Sequence, residues 1–253
     1  MTAPSPAISV SDLSKSYGST TAVDGVDLAV DRGVVYGFLG PNGAGKTTTM
    51  RMLTGLVEPS SGEARVAGVD CRDRAELVSH IGLLPEEPPL YDELSGREQL
   101  AFAADVRSLS WESVAERALP LVDRLGLASD LDKRVDGYSK GMRQKLAFVQ
   151  AVQHDPDVAF LDEPTSGLDP RAAKTLRELI TELRAEGTTV FLSTHILPVV
   201  EEIADVVGVL HDGRLVAEGS PSDLVAQRDD EAGDGDLEDA FLELTSEHPE
   251  PGR

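Results

Sequence analysis

Gly40-Pro41-Asn42-Gly43-Ala44-Gly45-Lys46-Thr47 is the stretch on which the fold turns. It fits the pattern Gly, four residues, Gly-Lys-Ser/Thr, and its flanks supply the context that pattern needs. Val34 to Leu39, before it, is an unbroken apolar run that reads as a strand buried on both faces. Lys46 to about Val57, after it, reads as a helix. Glycines let the backbone wrap tightly, so that successive N–H groups point inward at phosphate oxygens, and the helix start adds the positive end of its dipole. Gly40, Pro41, Asn42, Gly43, Ala44 and Gly45 then form a phosphate cradle. Lys46 brings a full charge to the β- and γ-phosphates, Thr47 a hydroxyl to Mg2+, and Thr48 a further phosphate contact. Alone, the loop specifies a nucleoside triphosphate and no more.

Working outward, Ile8 to Val30 alternates apolar and polar residues in places and reads as antiparallel strands near a sheet edge. Ser95 and Glu98 form a capping box ahead of Leu100, Phe102 and Ala103. Trp111 to Leu125 reads as another helix, with Pro120 as a kink or break. The stretch from about Pro88 to Asp155 is thus mainly helical, inside a chain that otherwise alternates strand and helix. Asp157 to Leu161 is a buried strand. Asp169-Pro170 starts a helix that Gly187 closes, and Thr188 to Leu192 is strand-like. Val206 to Leu210 and Leu215 to Ala217 flank a hairpin turn at Asp212-Gly213. Ser220, Pro221 and Asp223 start a short helix, and Arg228 to Asp236 reads as a flexible acidic linker. No internal repeat is present.

A second chemical feature is Phe160-Leu161-Asp162-Glu163-Pro164, where a buried strand ends on adjacent carboxylates. Asp162 can hold Mg2+ directly or through water, and Glu163 can orient and activate a water for attack on the γ-phosphate.

Between the two features lies Tyr138-Ser139-Lys140-Gly141-Met142-Arg143-Gln144. It resembles the signature of ATP-binding cassette (ABC) proteins, usually Leu-Ser-Gly-Gly-Gln, with Tyr138, Lys140 and Met142 as departures. Further pieces follow in family order. Ser166-Gly167-Leu168-Asp169 resembles the D-loop, His195 after Ser193-Thr194 the switch histidine, and Tyr17 the aromatic residue that stacks on adenine. His80, His154, His211 and His248 lack such context and are assigned no role.

The resemblance covers roughly residues 8–225 and implies a P-loop ABC nucleotide-binding domain of the α/β class. Its parts are a mixed α/β core, an antiparallel β subdomain and an inserted helical subdomain at about residues 88–155. Residues 226–253 are left as an acidic linker and short helix. The family implies that two copies pack head-to-tail around ATP, with Lys46 of one chain and Ser139 and Gly141 of the other on the same nucleotide. Glu163 acts as general base, and His195 stabilises the γ-phosphate and the attacking water. Glu86 stands where the family has its Q-loop glutamine; a carboxylate there still ligates Mg2+, beside Thr47 and Asp162, and adds negative charge.

The Tyr-Ser-Lys-Gly-Met signature, Leu84-Pro85-Glu86-Glu87 and the tail Leu237 to Leu244 resemble ATPases of ABC-2-type transporters, which commonly serve exporters. This implies a separate membrane permease, docked beside Glu86 to Tyr91 and the following helix, and a homodimer or a heterodimer with a related cassette. The amphipathic tail is expected to pack on a partner or on the second copy. Four other readings are disfavoured. Translation factors of this family carry tandem cassettes, and repair ATPases need a long coiled coil for which Lys46 to Ser139 leaves no room. A regulator that holds ATP without turnover does not require Lys46, Asp162, Glu163 and His195 together, and a GTPase needs an Asn-Lys-x-Asp motif that is missing.

Bulk properties agree. The 253 residues, 40% of them hydrophobic, suit one α/β domain with a sizeable core. No apolar stretch approaches the ~18 residues of a membrane span, and Met1 to Val10 does not read as a signal peptide. The lone Cys71 reads as a core filler in a reducing compartment. A cytoplasmic protein, peripheral on the membrane through its permease, is therefore expected. Acids number 45 against 23 bases, a net charge of −22, which argues against nucleic-acid binding. High acidity with few lysines, at positions such as Lys15, Lys46 and Lys174, resembles proteins of extreme halophiles.

Overall fold

Two strands that alternate apolar and polar residues open the chain in the computed structural model, which describes residues 5–226 and 236–246. β1 (Ile8–Tyr17) and β2 (Thr20–Val30) pair antiparallel, with register shifts between Val10 and Ser16. They are followed by β3 (Val35–Leu39), α1 (Lys46–Leu53), β4 (Ser61–Val66), β5 (Val69–Asp70), α2 (Arg74–His80) and β6 (Ile81–Leu84). Three helices come next: α3 (Gly96–Val106), α4 (Trp111–Arg124) and α5 (Lys140–Val152). The chain then returns to alternation with β7 (Val158–Asp162), α6 (Pro170–Ala185), β8 (Thr189–Thr194), α7 (Leu197–Ile203) and β9 (Val206–His211). β10 (Arg214–Gly219), α8 (Pro221–Ala226) and α9 (Leu237–Ser246) complete the described residues.

The strands form two sheets. A four-stranded antiparallel sheet runs β2-β1-β4-β5, and a six-stranded sheet runs β10-β9-β3-β8-β7-β6. Within the second, β9 to β6 are parallel and β10 is antiparallel. Its central strands β3, β8 and β7 are buried along their whole length because both faces are covered. Val35, Ala159, Leu161, Val190 and Leu192 point into a core shared with α3 to α6. The alternate residues Tyr36, Phe38, Val158, Phe160 and Phe191 point into a core shared with α1 and the antiparallel sheet. Phe191 sits at 5.1 Å from Phe38 and 5.6 Å from Phe160, centroid to centroid, which binds three adjacent strands on that face.

The antiparallel strands expected near a sheet edge are there, β2 at the edge and β1 next to it. Three expectations need correction. The helix after the phosphate loop stops at Leu53 rather than near Val57, because Gly55 turns left-handed (φ 67°) and the N–H groups of Leu56 and Val57 fold back on the Arg51 carbonyl. Pro120 does not break α4, which runs through it; the buried stripe Val114, Ala118 and Val122 outweighs one lost helical hydrogen bond. The tail helix α9 packs on its own chain, with Leu237 and Ala240 buried and Phe241 and Leu244 set against a core of Leu39, Val200, Val209 and Leu224. The hairpin at Asp212-Gly213 forms as expected, both residues with positive φ and His211 paired with Arg214. The linker expected over Arg228 to Asp236 lies, except for Asp236, outside the described residues, as does His248. No described helix is long and apolar enough to cross a membrane.

Candidate functional site

β3, β8 and β7 lie side by side and parallel, with Leu39 opposite Thr194 and Ser193 opposite Asp162. The phosphate loop, His195 and Asp162-Glu163 therefore leave the sheet at one edge. That edge, at the carboxyl ends of the strands, is where open parallel sheets gather ligands.

In the loop, Gly45 (φ 106°) leads into α1 and approaches β2 so closely that an added Cβ would meet the Ala22 carbonyl oxygen at 2.4 Å. Gly40 faces the Leu210 carbonyl oxygen at the same distance. No side chain caps the N-terminus of α1 and no acid lies in its first turn, whereas α3 carries a full capping box. The first N–H groups of α1 are thus left for an anion. Lys46 is 8% exposed, and its Nζ donates to the Gly40 and Pro41 carbonyl oxygens at 2.6 and 3.1 Å. Burial draws its ammonium below the usual lysine range, while the carboxylates of Glu163, Asp162 and Glu86 act the other way.

Thr47 Oγ1 donates to Asp162 Oδ2 at 3.3 Å, which joins the loop to the end of β7. Burial pushes the Asp162 carboxyl above its usual range; the Ser193 and Thr47 hydroxyls oppose this, and the Glu163 and Glu86 charges add to it. Hydroxyl and carboxylate oxygens are hard donors, and a desolvated carboxylate beside others of like charge favours a divalent cation, so the set fits Mg2+. Among the described residues no three of His, Cys, Asp and Glu form a metal cage.

Glu163 adopts a left-handed backbone, φ 47°, uncommon for a residue with a side chain. Its N–H donates to the Ser193 carbonyl oxygen at 2.8 Å. Its carboxylate accepts from Thr194 Oγ1 (2.9 Å) and the His195 N–H (3.0 Å), and His195 Nδ1 lies 2.6 Å from Oε1. The carboxylate is nearly buried whereas the His195 side chain is 60% exposed, so the imidazole closes the outer side of the pair.

The other predicted residues are placed as follows. Thr48 lies in the first turn of α1, half-buried. Ser139 is exposed and caps α5 by accepting from the Met142 N–H, and Gly141 lies against the Gly167 carbonyl. Neither lines the cleft of about 300 Å3 that Thr47 and Asp162 share with Met50, Leu83 and Glu86. Glu86 is exposed on that cleft. Tyr17 ends β1 about half exposed, with Lys15 Nζ 5.3 Å from its ring centre. The β1–β2 hairpin it belongs to backs the phosphate loop through Ala22 and Val23.

Sequence reasoning missed Thr194 and Gln144. Thr194 holds the Glu163 carboxylate, and Gln144 Nε2 donates to the Glu163 and Pro164 carbonyl oxygens at 3.2 Å each. Both stand inside motifs read for their neighbours, and only the signature's position next to the strand end could have pointed to Gln144.

A sequence profile described as ABC transporter matches residues 23–166. The daunorubicin/doxorubicin resistance ATP-binding protein DrrA of Streptomyces peucetius is 42% identical over 224 residues, 88% of this chain and 68% of that one. The bacitracin transport ATP-binding protein BcrA of Enterococcus faecalis is 41% identical over 219 residues, 86% and 70% of the two chains. A solved structure of the ATP-binding subunit of an ABC transporter superimposes with a TM-score of 0.87 at 36% identity, covering 94% of this chain and 98% of that one.

Proposed function

The chain belongs to the ABC transporter family as an ATP-binding subunit, and on that basis we propose that two copies close head-to-tail around ATP and drive a separate membrane permease. It binds and hydrolyses ATP, and the hydrolysis energises transport. The observation that carries the mechanistic reading is the meeting of Lys46, Thr47, Asp162, Glu163 and His195 at one sheet edge.

Residues 40–48 wrap the triphosphate, with backbone N–H groups on its oxygens and Lys46 between the β- and γ-phosphates. Thr47 and Asp162, with Glu86 across the cleft, hold Mg2+, which offsets charge on the phosphate oxygens. Glu163 takes a proton from the attacking water while Thr194 and the His195 N–H fix its carboxylate. His195, exposed on its outer side, turns toward the γ-phosphate. Tyr17 stacks on adenine, and Ser139 and Gly141 approach the nucleotide held by the other copy. The exposure of Ser139 and the place of both residues outside the cleft of their own chain support that division.

Residues 8–225 act as the nucleotide-binding domain, with about 88–155 as its helical subdomain and 226–253 as the tail. The permease docks by the cleft at Glu86 and Glu87, near the exposed apolar side chains of Leu56, Tyr91 and Phe102. That contact holds the subunit on the cytoplasmic face of the membrane. Export is the favoured direction, supported by relatives named for drug resistance and bacitracin transport.

The test pairs ATPase assays with light scattering of the Glu163→Gln variant. Turnover is expected to fall by about a hundredfold or more while ATP drives the variant into a dimer. Turnover at the wild-type rate would remove Glu163 from the role of base, and a monomer at saturating ATP would count against closure without the permease.

A further inference from the structure

Gln144 is 1% exposed, and both hydrogens of its side-chain amide are used on one short piece of chain, the carbonyl oxygens of Glu163 and Pro164. That piece is strained, with Glu163 in the left-handed region. Glu163 is held at each polar group: its N–H by the Ser193 carbonyl, its carboxylate by Thr194 and His195, its carbonyl by Gln144 and the Ser166 N–H. Strands and their loops supply every one of these contacts but one. Gln144 reaches in from α5, the helix that Ser139 caps. Lys140, on the first turn of α5, grips the same loop again, with Nζ 3.3 Å from Ser166 Oγ and its stem against Gly167. The far side of α5 is anchored, because Leu146, Phe148 and Val149 are fully buried in the core that holds Leu161 and Leu192.

We infer that Gln144 is a positioning residue for hydrolysis: it locks the left-handed turn at Glu163 and so aims the carboxylate, and it makes the base answer to any shift of α5. This rests on the reading of Glu163 as general base. Two carbonyl acceptors admit only a double donor, which glutamine supplies and an ionised carboxylate does not. Without Gln144 two buried carbonyls lose their partner, and the turn relaxes toward the common backbone region, which swings the carboxylate off its line. Because Ser139 opens the same helix, the contact that the second copy makes with the helix start is felt at Glu163.

Gln144→Leu is expected to lower kcat by roughly tenfold to a hundredfold, the range that a small misplacement near the chemistry produces, while KM for ATP stays within about twofold. In a Glu163→Gln background the same change should cost little more, because two residues that act as a unit do not add. Gln144→Glu keeps the packing and adds a readout that bulk alone does not move. Its buried carboxyl titrates above the ordinary range and regains one donor on protonation, so its kcat relative to wild type should climb as pH falls from about 8 to about 5.5. Equal losses in both backgrounds, a change in KM alone, or a flat pH ratio would overturn the positioning role and leave Glu163 as base. Wild-type turnover in Glu163→Gln by itself would overturn both.

Discussion

Asp162 is buried beside Glu163 and feels the charge on Glu86, so its carboxyl is held above the ordinary range by burial first and by like charge second. A carboxyl whose folded pKa is raised contributes stability below the unfolded value and loses it as pH rises through the folded one. Ionising Asp162 in the nucleotide-free protein therefore costs stability. Asp162→Asn, which keeps an acceptor for Thr47, is expected to raise Tm by about 2–4 °C at pH 7. The gain should fade as pH falls through the raised folded value, because the wild-type carboxyl then takes up its proton. Mg2+ with ATP should stabilise wild type more than the variant. Calorimetry over a pH series checks both, and a variant less stable than wild type at pH 7 would mean that the Thr47 contact outweighs the burial of charge. The residues of this site differ in how far the sequence exposed them. Gly40 to Thr47 and Asp162-Glu163 were legible because each is a fixed spacing tied to a strand end, so local order carries the meaning. The cradle of Thr194, Gln144 and the left-handed turn at Glu163 was not, because it depends on three segments meeting in space.

At the scale of elements, legibility followed burial. β3, β7 and β8 are buried along their whole length; the first two read as buried strands and the third as strand-like. β4 buries only Ala64 and Val66 and β5 is two residues long, so neither left a pattern to find. Helices announced their starts better than their ends. The capping box at Ser95 and Asp169 ahead of Pro170 were read correctly, while the stop of α1 hangs on a left-handed Gly55. The break expected as one outcome at Pro120 does not occur, because a local rule loses to packing. In α4 it removes the donor that would meet the carbonyl of Glu116, yet Val114, Ala118 and Val122 stay buried in one stripe. Pro120→Ala restores that bond on an exposed position and is expected to stabilise the protein by about 1–2 kcal/mol, the helical gain less the freedom returned to the unfolded chain. Denaturant unfolding measures it. A loss of stability would show that the fixed φ of Pro120 is worth more to α4 than the restored hydrogen bond.

Across the whole molecule, the charge balance sets a further expectation. Most of the described arginines are spent on ion pairs, among them Arg97 with Asp132, Arg117 with Asp155 and Glu186, Arg177 with Glu202 and Arg214 with Asp24. Forty-five acids against 23 bases leave a large surplus of carboxylates that repel one another over longer distances. Added salt screens interactions beyond about 10 Å at 0.1 M before it weakens pairs in contact, so the repulsion is lost first. Tm should therefore rise steadily as KCl increases from about 0.05 M to about 2 M, where a protein of balanced charge would show a small change at the low end. ATP is also an anion, and its approach to Lys46 crosses the same field, so KM for ATP should fall over the lower part of that range. A Tm that stays level or drops with KCl would mean that the contact pairs, rather than the surplus, dominate the electrostatics of the fold, and the proposed adaptation to concentrated salt would lose its physical basis.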